Sequence, residues 1–335
     1  MIQIGIIGYG YWGPNLVRNF FSQNNCNIKA VADSRPNRLQ HLAHLYPSIK
    51  ALQNADEIIT DTEIDAVIIA TPVSTHFFLA QKALLNGKHV LLEKPMASSV
   101  AECEVLIDLA LQKNLTLMVD HTFLYTGAVE KIKELIDANA LGNIKYLDST
   151  RINLGLFQAD INVLWDLAPH DLSILRYIYN EKPYSINATG ISHTGNGIEN
   201  IAFMTINYKS GFIAHLNFSW TSPVKVRMML IGGDKKMILY NDVEPTEKIK
   251  MYDTTYDLKT DDEKNQILVD YRVGDIFVPK INNKEALASV ANDFITCIMN
   301  SASPRSSRDI GLDIVRILEA SQKSIKNNGV QVVID

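Results

Sequence analysis

The sequence predicts an α/β domain joined to an α+β domain: a parallel sheet wrapped by helices, then a domain built on a large, mainly antiparallel open sheet. Three observations predict it. Over the first 120 residues, short apolar runs alternate with amphipathic stretches, the pattern of strands joined by helical crossovers. The first run ends in a spaced glycine triplet, Gly8, Gly10 and Gly13. From Lys145 to Ile238 polar and apolar residues mostly alternate, as in Phe212–Trp220, the period of a sheet with one covered face.

In order, Ile2–Ile7, Ile28–Ala32, Ala66–Ala70, His89–Leu92 and Leu115–Val119 read as strands, nearly all apolar because both faces are buried. Between them Thr75–Asn86, closed by Gly87, and Ser98–Gln112 read as helices, the latter with Ser98 and Glu102 near its start. A helix over about Gly127–Asn139 ends at Gly142, and another, about Leu167–Tyr179, interrupts the alternating region. Residues 241–283 are polar and charged and read as a strand-poor excursion. Two helical patterns span Glu285–Asn327, split by the loop Ser301–Ser307, and Val330–Ile334 reads as a last edge strand.

At 335 residues the chain suits about two domains. Its 32 Lys+Arg against 37 Asp+Glu, net −5, argue against a nucleic-acid binder, which shows a basic face. Three widely spaced cysteines, Cys26, Cys103 and Cys297, give neither a disulfide framework nor a zinc pattern. No apolar run reaches 18 residues and no basic leader precedes the first strand, so a cytoplasmic protein with no membrane partner is expected.

Gly8-Tyr9-Gly10-Tyr11-Trp12-Gly13 lies between a strand and a helix opened by Pro14. In that setting Gly8 permits the tight turn, Gly10 lets backbone approach a pyrophosphate, and Gly13 permits close helix–strand packing. The helix N-terminus offers amides to phosphate. Asp33, 20 residues beyond Gly13 at the end of the second strand, is placed for a ribose 2′-hydroxyl. These residues define a Rossmann dinucleotide-binding domain. Asp33 favours NAD, while Ser34, Arg35 and Arg38 leave NADP possible. An ordinary glycine-rich turn is the alternative.

Glu93-Lys94-Pro95 follows a buried strand at the sheet edge where open α/β sheets bind ligands. A lysine there can orient a substrate hydroxyl and share its proton; a solvated charge pair is the alternative. Asp166 and His170, four apart, share one helix face. His170 can accept a proton while Asp166 orients it, although Asp166 also suits a helix N-cap with Pro169 in the first turn. His121 and Tyr125 point to the same sheet edge. His41 and His44 share a helix without a carboxylate or cysteine partner and read as surface residues; no metal site is expected.

With these residues assembled, the chain resembles the Gfo/Idh/MocA (glucose–fructose oxidoreductase / inositol dehydrogenase) family. The matching pieces are Gly8–Gly13, Ala70-Thr71-Pro72 with His76, Glu93-Lys94-Pro95, and Asp166 with His170. His121–Tyr125, Ser149–Phe157, Trp165–Asp171 and Gly274–Lys280 resemble the UDP-N-acetylglucosaminuronate 3-dehydrogenase branch, with Thr126-Gly127 departing from the Asn-Pro expected there. The resemblance implies hydride transfer between a sugar hydroxyl and NAD, for surface-polysaccharide sugar biosynthesis. It makes Lys94, His170 and Asp166 catalytic. It assigns Gly8, Gly10, Tyr11, Trp12, Gly13, Asp33, Ser34, Arg38, Thr71, Pro72, His76, Glu93 and Lys94 to the cofactor. It assigns His121, Tyr125, Arg151, Asn153, Trp165, Asp166 and His170 to the substrate. It further implies a cis Lys94–Pro95 bond and a homodimer or homotetramer formed through the second sheet.

Arg151 pairs with a uronate carboxylate on this reading, or else makes a strand-edge ion pair. The expected domains are 1–122 (cofactor), 123–283 (substrate and oligomerisation) and 284–335 (helices and an edge strand returning to the first). The alternatives are an NADPH-dependent ketosugar reductase, another sugar or inositol dehydrogenase of the family, and a non-catalytic NAD-binding regulator.

Overall fold

The computed structural model describes residues 1–155, 157–158, 160–257 and 270–334. Contacts divide the chain into two units, Met1–Thr126 with Lys284–Arg316, and Gly127–Asn283 with Ile317–Asp335.

In the first unit, β1 (Ile2–Ile7), α1 (Gly13–Phe21), β2 (Cys26–Ala32), α2 (Pro36–Leu45), β3 (Lys50–Leu52), α3 (Asp56–Ile59), β4 (Ala66–Ile69), α4 (His76–Leu85), β5 (His89–Glu93), α5 (Val100–Gln112) and β6 (Leu117–Asp120) succeed one another. The six strands lie in the order β3-β2-β1-β4-β5-β6, all parallel. Ile4, Ile6, Val67, Ile69, Val90, Leu92 and Met118 are fully buried, as two helix layers over one sheet require. The strand order reverses between β1 and β4, so the segments leaving these strands, Gly8–Gly13 and Ala70–Pro72, open a crevice at their carboxyl ends.

The expected strand at Leu115–Val119 begins two residues later. The Leu115 amide closes α5 on the Ala110 carbonyl at 2.8 Å, and the Thr116 amide donates to His89 Nδ1 at 3.0 Å. The N-cap of α5 is Ser99, which accepts from the Glu102 amide, while Ser98 binds the Glu102 carboxylate.

The second unit contains α6 (Gly127–Asp137), β7 (Ile144–Leu154), α7 (Val163–Ile178), β8 (Ser185–Ile191), β9 (Ile201–Asn207), β10 (Ile213–Ser219), β11 (Thr221–Gly233), β12 (Met237–Asn241), β13 (Ile249–Asp257) and β14 (Asp270–Phe277). Later in the chain come α8 (Ala286–Asn300), in the first unit, α9 (Arg308–Lys326) and β15 (Val332–Val333). The nine-stranded sheet runs β14-β13-β12-β11-β7-β10-β9-β8-β15, with β7 and β10 parallel and the other pairs antiparallel.

One face, carrying Leu147, Met204, Leu216, Phe218 and Ile231, is buried; the other leaves Phe203, Ile213 and Leu230 exposed. Two expectations are corrected here. Residues 241–283 supply β13 and β14, an edge ribbon in which Ile249 and Met251 are buried, while Val273 to Val278 are exposed. Backbone pairing, with little apolar alternation, carries that ribbon, so its composition concealed it. The final strand, expected against the first domain, pairs with β8 in this sheet. The stretch 258–269, including the charged run Asp261–Lys264, lies outside the described residues.

Candidate active site

In the first unit the glycine turn has the shape its composition predicts. Gly8 has φ +100°, and a Cβ there would lie 2.3 Å from the Ala70 carbonyl oxygen. A Cβ on Gly13 would lie 2.4 Å from the Gly8 oxygen, so α1 packs directly on the turn. At Gly10 a Cβ would meet Arg35 Nη2 at 3.3 Å and nothing else nearby, which leaves the backbone open to a ligand. The start of α1 has no side-chain cap and no acidic residue in its first turn, so its dipole is available to a phosphate. These features fit a dinucleotide.

Asp33 is buried and accepts from the Tyr9 amide at 2.8 Å and from the Arg35 amide and Nε at 2.9 Å. Burial pushes its carboxyl up, yet the Arg35 guanidinium and the two amides outweigh burial and hold it at about 2. It is therefore a carboxylate at any ordinary pH, the form that accepts from a ribose hydroxyl and repels a 2′-phosphate. Ser34 and Arg38 are exposed beside it, and Tyr11 and Trp12 are exposed on the turn.

Thr71 and Pro72 follow β4, the former with its hydroxyl 2.7 Å from that of Thr75. His76 is buried, with Nδ1 2.9 Å from the Pro95 oxygen and Nε2 2.9 Å from the Thr71 oxygen. It braces the segments leaving β4 and β5, with both ring nitrogens on backbone carbonyls. Glu93 ends β5 and is followed by Lys94 and a cis Lys94–Pro95 peptide.

His121, directly after β6, is buried with neither ring nitrogen hydrogen-bonded. Burial, and then the Lys94 charge, push its pKa down to about 3, so the imidazole is neutral. Tyr125 is placed differently from expectation. Its hydroxyl donates to Asp293 at 2.6 Å and accepts from the Ser306 amide at 3.1 Å, and the Arg305 guanidinium lies 4.8 Å from its ring centre. This pins the loop before α9 and commits the hydroxyl to the protein.

In the second unit α7 begins four residues earlier than expected, because the Asn162 side chain caps it by accepting from the Trp165 amide at 3.1 Å. Asp166 is consequently within the helix rather than its cap, and Pro169 lies in the helix interior. Asp166 and His170 share a face, half-buried together with Trp165. The Trp220 indole donates to Asp166 Oδ2 at 3.1 Å. Asn153, on β7, lies half-buried near Gly155, which in turn packs on Trp220.

Arg151 is on the buried face of β7. Its Nε and Nη2 donate to Asp171 Oδ1 at 2.9 and 2.5 Å. Of its two expected roles, the ion pair is the one formed, and it is internal rather than at a strand edge.

Sequence reasoning missed Trp220, Asn162 and Asp120. Asp120 had a signal: it ends a buried strand at the same edge that singled out Glu93. Trp220 had only its even-numbered parity with buried Phe218. His41 and His44 are exposed on α2, and no metal-binding group of His, Cys, Asp or Glu occurs among the described residues.

A glycine cradle with an acid closing the second strand defines a dinucleotide-binding protein. Comparison with known proteins makes that specific. Residues 2–121 match the Gfo/Idh/MocA oxidoreductase family with an NAD-binding Rossmann fold, and residues 129–239 match the Gfo/Idh/MocA C-terminal domain. The chain belongs to this family and is an NAD-binding enzyme.

UDP-N-acetylglucosamine 3-dehydrogenase of Acidithiobacillus ferrooxidans is 29% identical over 69% of this chain and 71% of that protein. The 2,7-anhydro-N-acetylneuraminate hydratase of Escherichia coli is 26% identical over 80% and 73%. Among solved structures, the Acidithiobacillus dehydrogenase GnnA superposes with a TM-score of 0.80 at 22% identity, covering 97% of this chain and 98% of that one. Levoglucosan dehydrogenase with NADH and L-sorbose gives 0.84 at 20% identity, covering 100% and 99%. Among the described residues no helix is long and apolar enough to cross a membrane.

Proposed function

We propose that the enzyme transfers hydride between a sugar hydroxyl, on a nucleotide sugar of the UDP-N-acetylglucosaminuronate type at C3, and NAD, for surface-polysaccharide sugar biosynthesis. The observation that carries the reading is Lys94. A cation stands at the carboxyl end of β5, on the ligand edge of the sheet that carries the glycine cradle.

NAD, when bound, supplies the hydride acceptor. Lys94 donates a hydrogen bond to the reacting oxygen and orients the hydroxyl. His170 accepts the hydroxyl proton as the carbinol becomes a ketone. Asp166, held by Trp220, accepts from a neighbouring sugar hydroxyl. Asp33 accepts from the adenosine ribose, and the amides at the start of α1 receive the pyrophosphate. The exposed apolar residues Phe203, Ile213 and Leu230 on the open sheet favour a dimer or tetramer formed through that face.

A second reading, UDP-N-acetylglucosamine itself as substrate, is favoured by Arg151. Its pairing with Asp171 removes the cation expected to hold a uronate, and a relative acts on the uncarboxylated sugar by name.

The test is NADH absorbance on mixing the enzyme with NAD and each of the two nucleotide sugars, with and without 2-oxoglutarate. Reduction with either sugar, lowered on the order of 10³-fold in Lys94→Ala while NAD still binds, is expected. A near-normal rate in Lys94→Ala overturns the assignment, and inertness toward both sugars overturns the substrate class.

A further inference from the structure

The parallel register of β5 and β6 sets Glu93 beside Asp120. Each carboxyl keeps one oxygen buried without a hydrogen-bond partner, Glu93 Oε1 and Asp120 Oδ2. The remaining oxygens are engaged: the Lys94 amide donates to Glu93 Oε2 at 3.3 Å, and the Thr122 hydroxyl donates to Asp120 Oδ1 at 2.7 Å.

Two adjacent buried carboxylates cannot both ionise without strong like-charge repulsion, and a buried oxygen without a donor carries a desolvation cost. A single proton between the two carboxyls relieves both. It gives the carboxyl pair a hydrogen bond and leaves one negative charge in place of two.

We propose that Glu93 and Asp120 share one proton, and that this singly charged pair is the counter-charge that positions Lys94. Asp120 is thus a positioning residue acting through Lys94. That role rests on the reaction proposed above; the shared proton does not.

The surrounding groups agree. Lys94 acts electrostatically on both carboxyls. His121, the next residue along from Asp120, is neutral and adds no charge. Burial, then the Asp120 charge, push Glu93 well up, against the pull of Lys94. Burial also raises Asp120, while the Thr122 hydroxyl and the Lys94 charge pull it back. The proton therefore rests on Glu93, with Asp120 accepting it. With one proton held, Glu93, Asp120 and the Lys94 ammonium sum to zero charge.

Infrared spectra of the full chain at neutral pH, without substrate, test the proton directly. The wild type is expected to show the carbonyl stretch of a protonated carboxylic acid, shifting in D2O, and both Asp120→Asn and Glu93→Gln are expected to lose it. In each variant the remaining carboxyl has lost its like-charged neighbour while the Lys94 charge still favours its ionised form, so it is expected to ionise despite its burial. Absence of the band in the wild type overturns the proposal, as does its persistence in Asp120→Asn, which would make burial alone the cause.

The positioning role is read from kcat/KM against pH at saturating NAD. Asp120→Asn is expected to lose one ionisation from the profile. A profile of unchanged shape, lowered throughout, assigns Asp120 to structure only and overturns that role even where the infrared result holds.

Discussion

The Trp220 indole Nε1 donates to Asp166 Oδ2 at 3.1 Å, tying a carboxylate of α7 to the junction of β10 and β11. Trp220 itself is fully buried, with Phe157 packed at 5.5 Å between ring centres. A hydrogen bond to a charged acceptor is worth about 1.5–3 kcal/mol. Trp220→Phe keeps most of the ring packing and removes the donor, so kcat/KM is expected to fall by about tenfold or more. Steady-state kinetics beside a thermal melt separate this from unfolding; an unchanged kcat/KM would show that Asp166 needs no such support.

The Arg151–Asp171 pair is buried on both sides, with side chains 4% and 3% exposed. Removing one member leaves the other charge stranded, which costs about 3–5 kcal/mol. Arg151→Met should lower the denaturation midpoint accordingly and leave the preference between carboxylated and uncarboxylated sugars unchanged. Selective loss of the carboxylated substrate at full stability would restore the uronate role.

Asp33 stays ionised because Arg35 and two amides stabilise its charge. Asp33→Ser removes the acceptor for a ribose hydroxyl and the repulsion toward a 2′-phosphate. Its ratio of NAD to NADP affinity, from fluorescence titration, is expected to fall at least about tenfold, roughly 1.4 kcal/mol. A ratio that does not move would place cofactor choice elsewhere.

His121 is held neutral in the fold down to about 3, against an ordinary value of 6.5. Between those values the unfolded chain takes up a proton that the folded chain refuses. The contribution of His121 is therefore complete above 6.5 and declines as pH falls toward 3. Its slope approaches about 1.4 kcal/mol per pH unit. His121→Gln should flatten urea-derived stability against pH in that window. The Asp33 contribution declines only below its ordinary 3.8, toward about 2, and so leaves the upper part of the window unaffected. Equal slopes in the variant and the wild type would mean that the imidazole is protonated in the fold.

Periodicity revealed what burial on two faces imposes: Ile2–Ile7 and His89 onward read as strands and are strands. Expectations from composition failed where backbone hydrogen bonds carry the structure with few apolar anchors, as in Ile249–Asp257 and Asp270–Phe277. The start of α7 was misplaced because Asn162 and Asp166 are both chemically sound caps, and only the Asn162 contact with the Trp165 amide decides between them. Glu93, Lys94, Asp166 and His170 were legible as chemistry in sequence. The partners Asp120 and Trp220 were not, because strand register and fold, rather than chain proximity, bring them to Glu93 and Asp166.

The tight approach of Gly8 to Ala70 and of Gly13 to Gly8 bears on protein engineering. A diversified library spread over the glycine turn would mostly yield misfolded clones, since at those two positions any side chain strikes backbone. Ser34 to Arg38, by contrast, carry exposed side chains, so a search for variants that take a phosphorylated or synthetic dinucleotide has its room in that short surface segment.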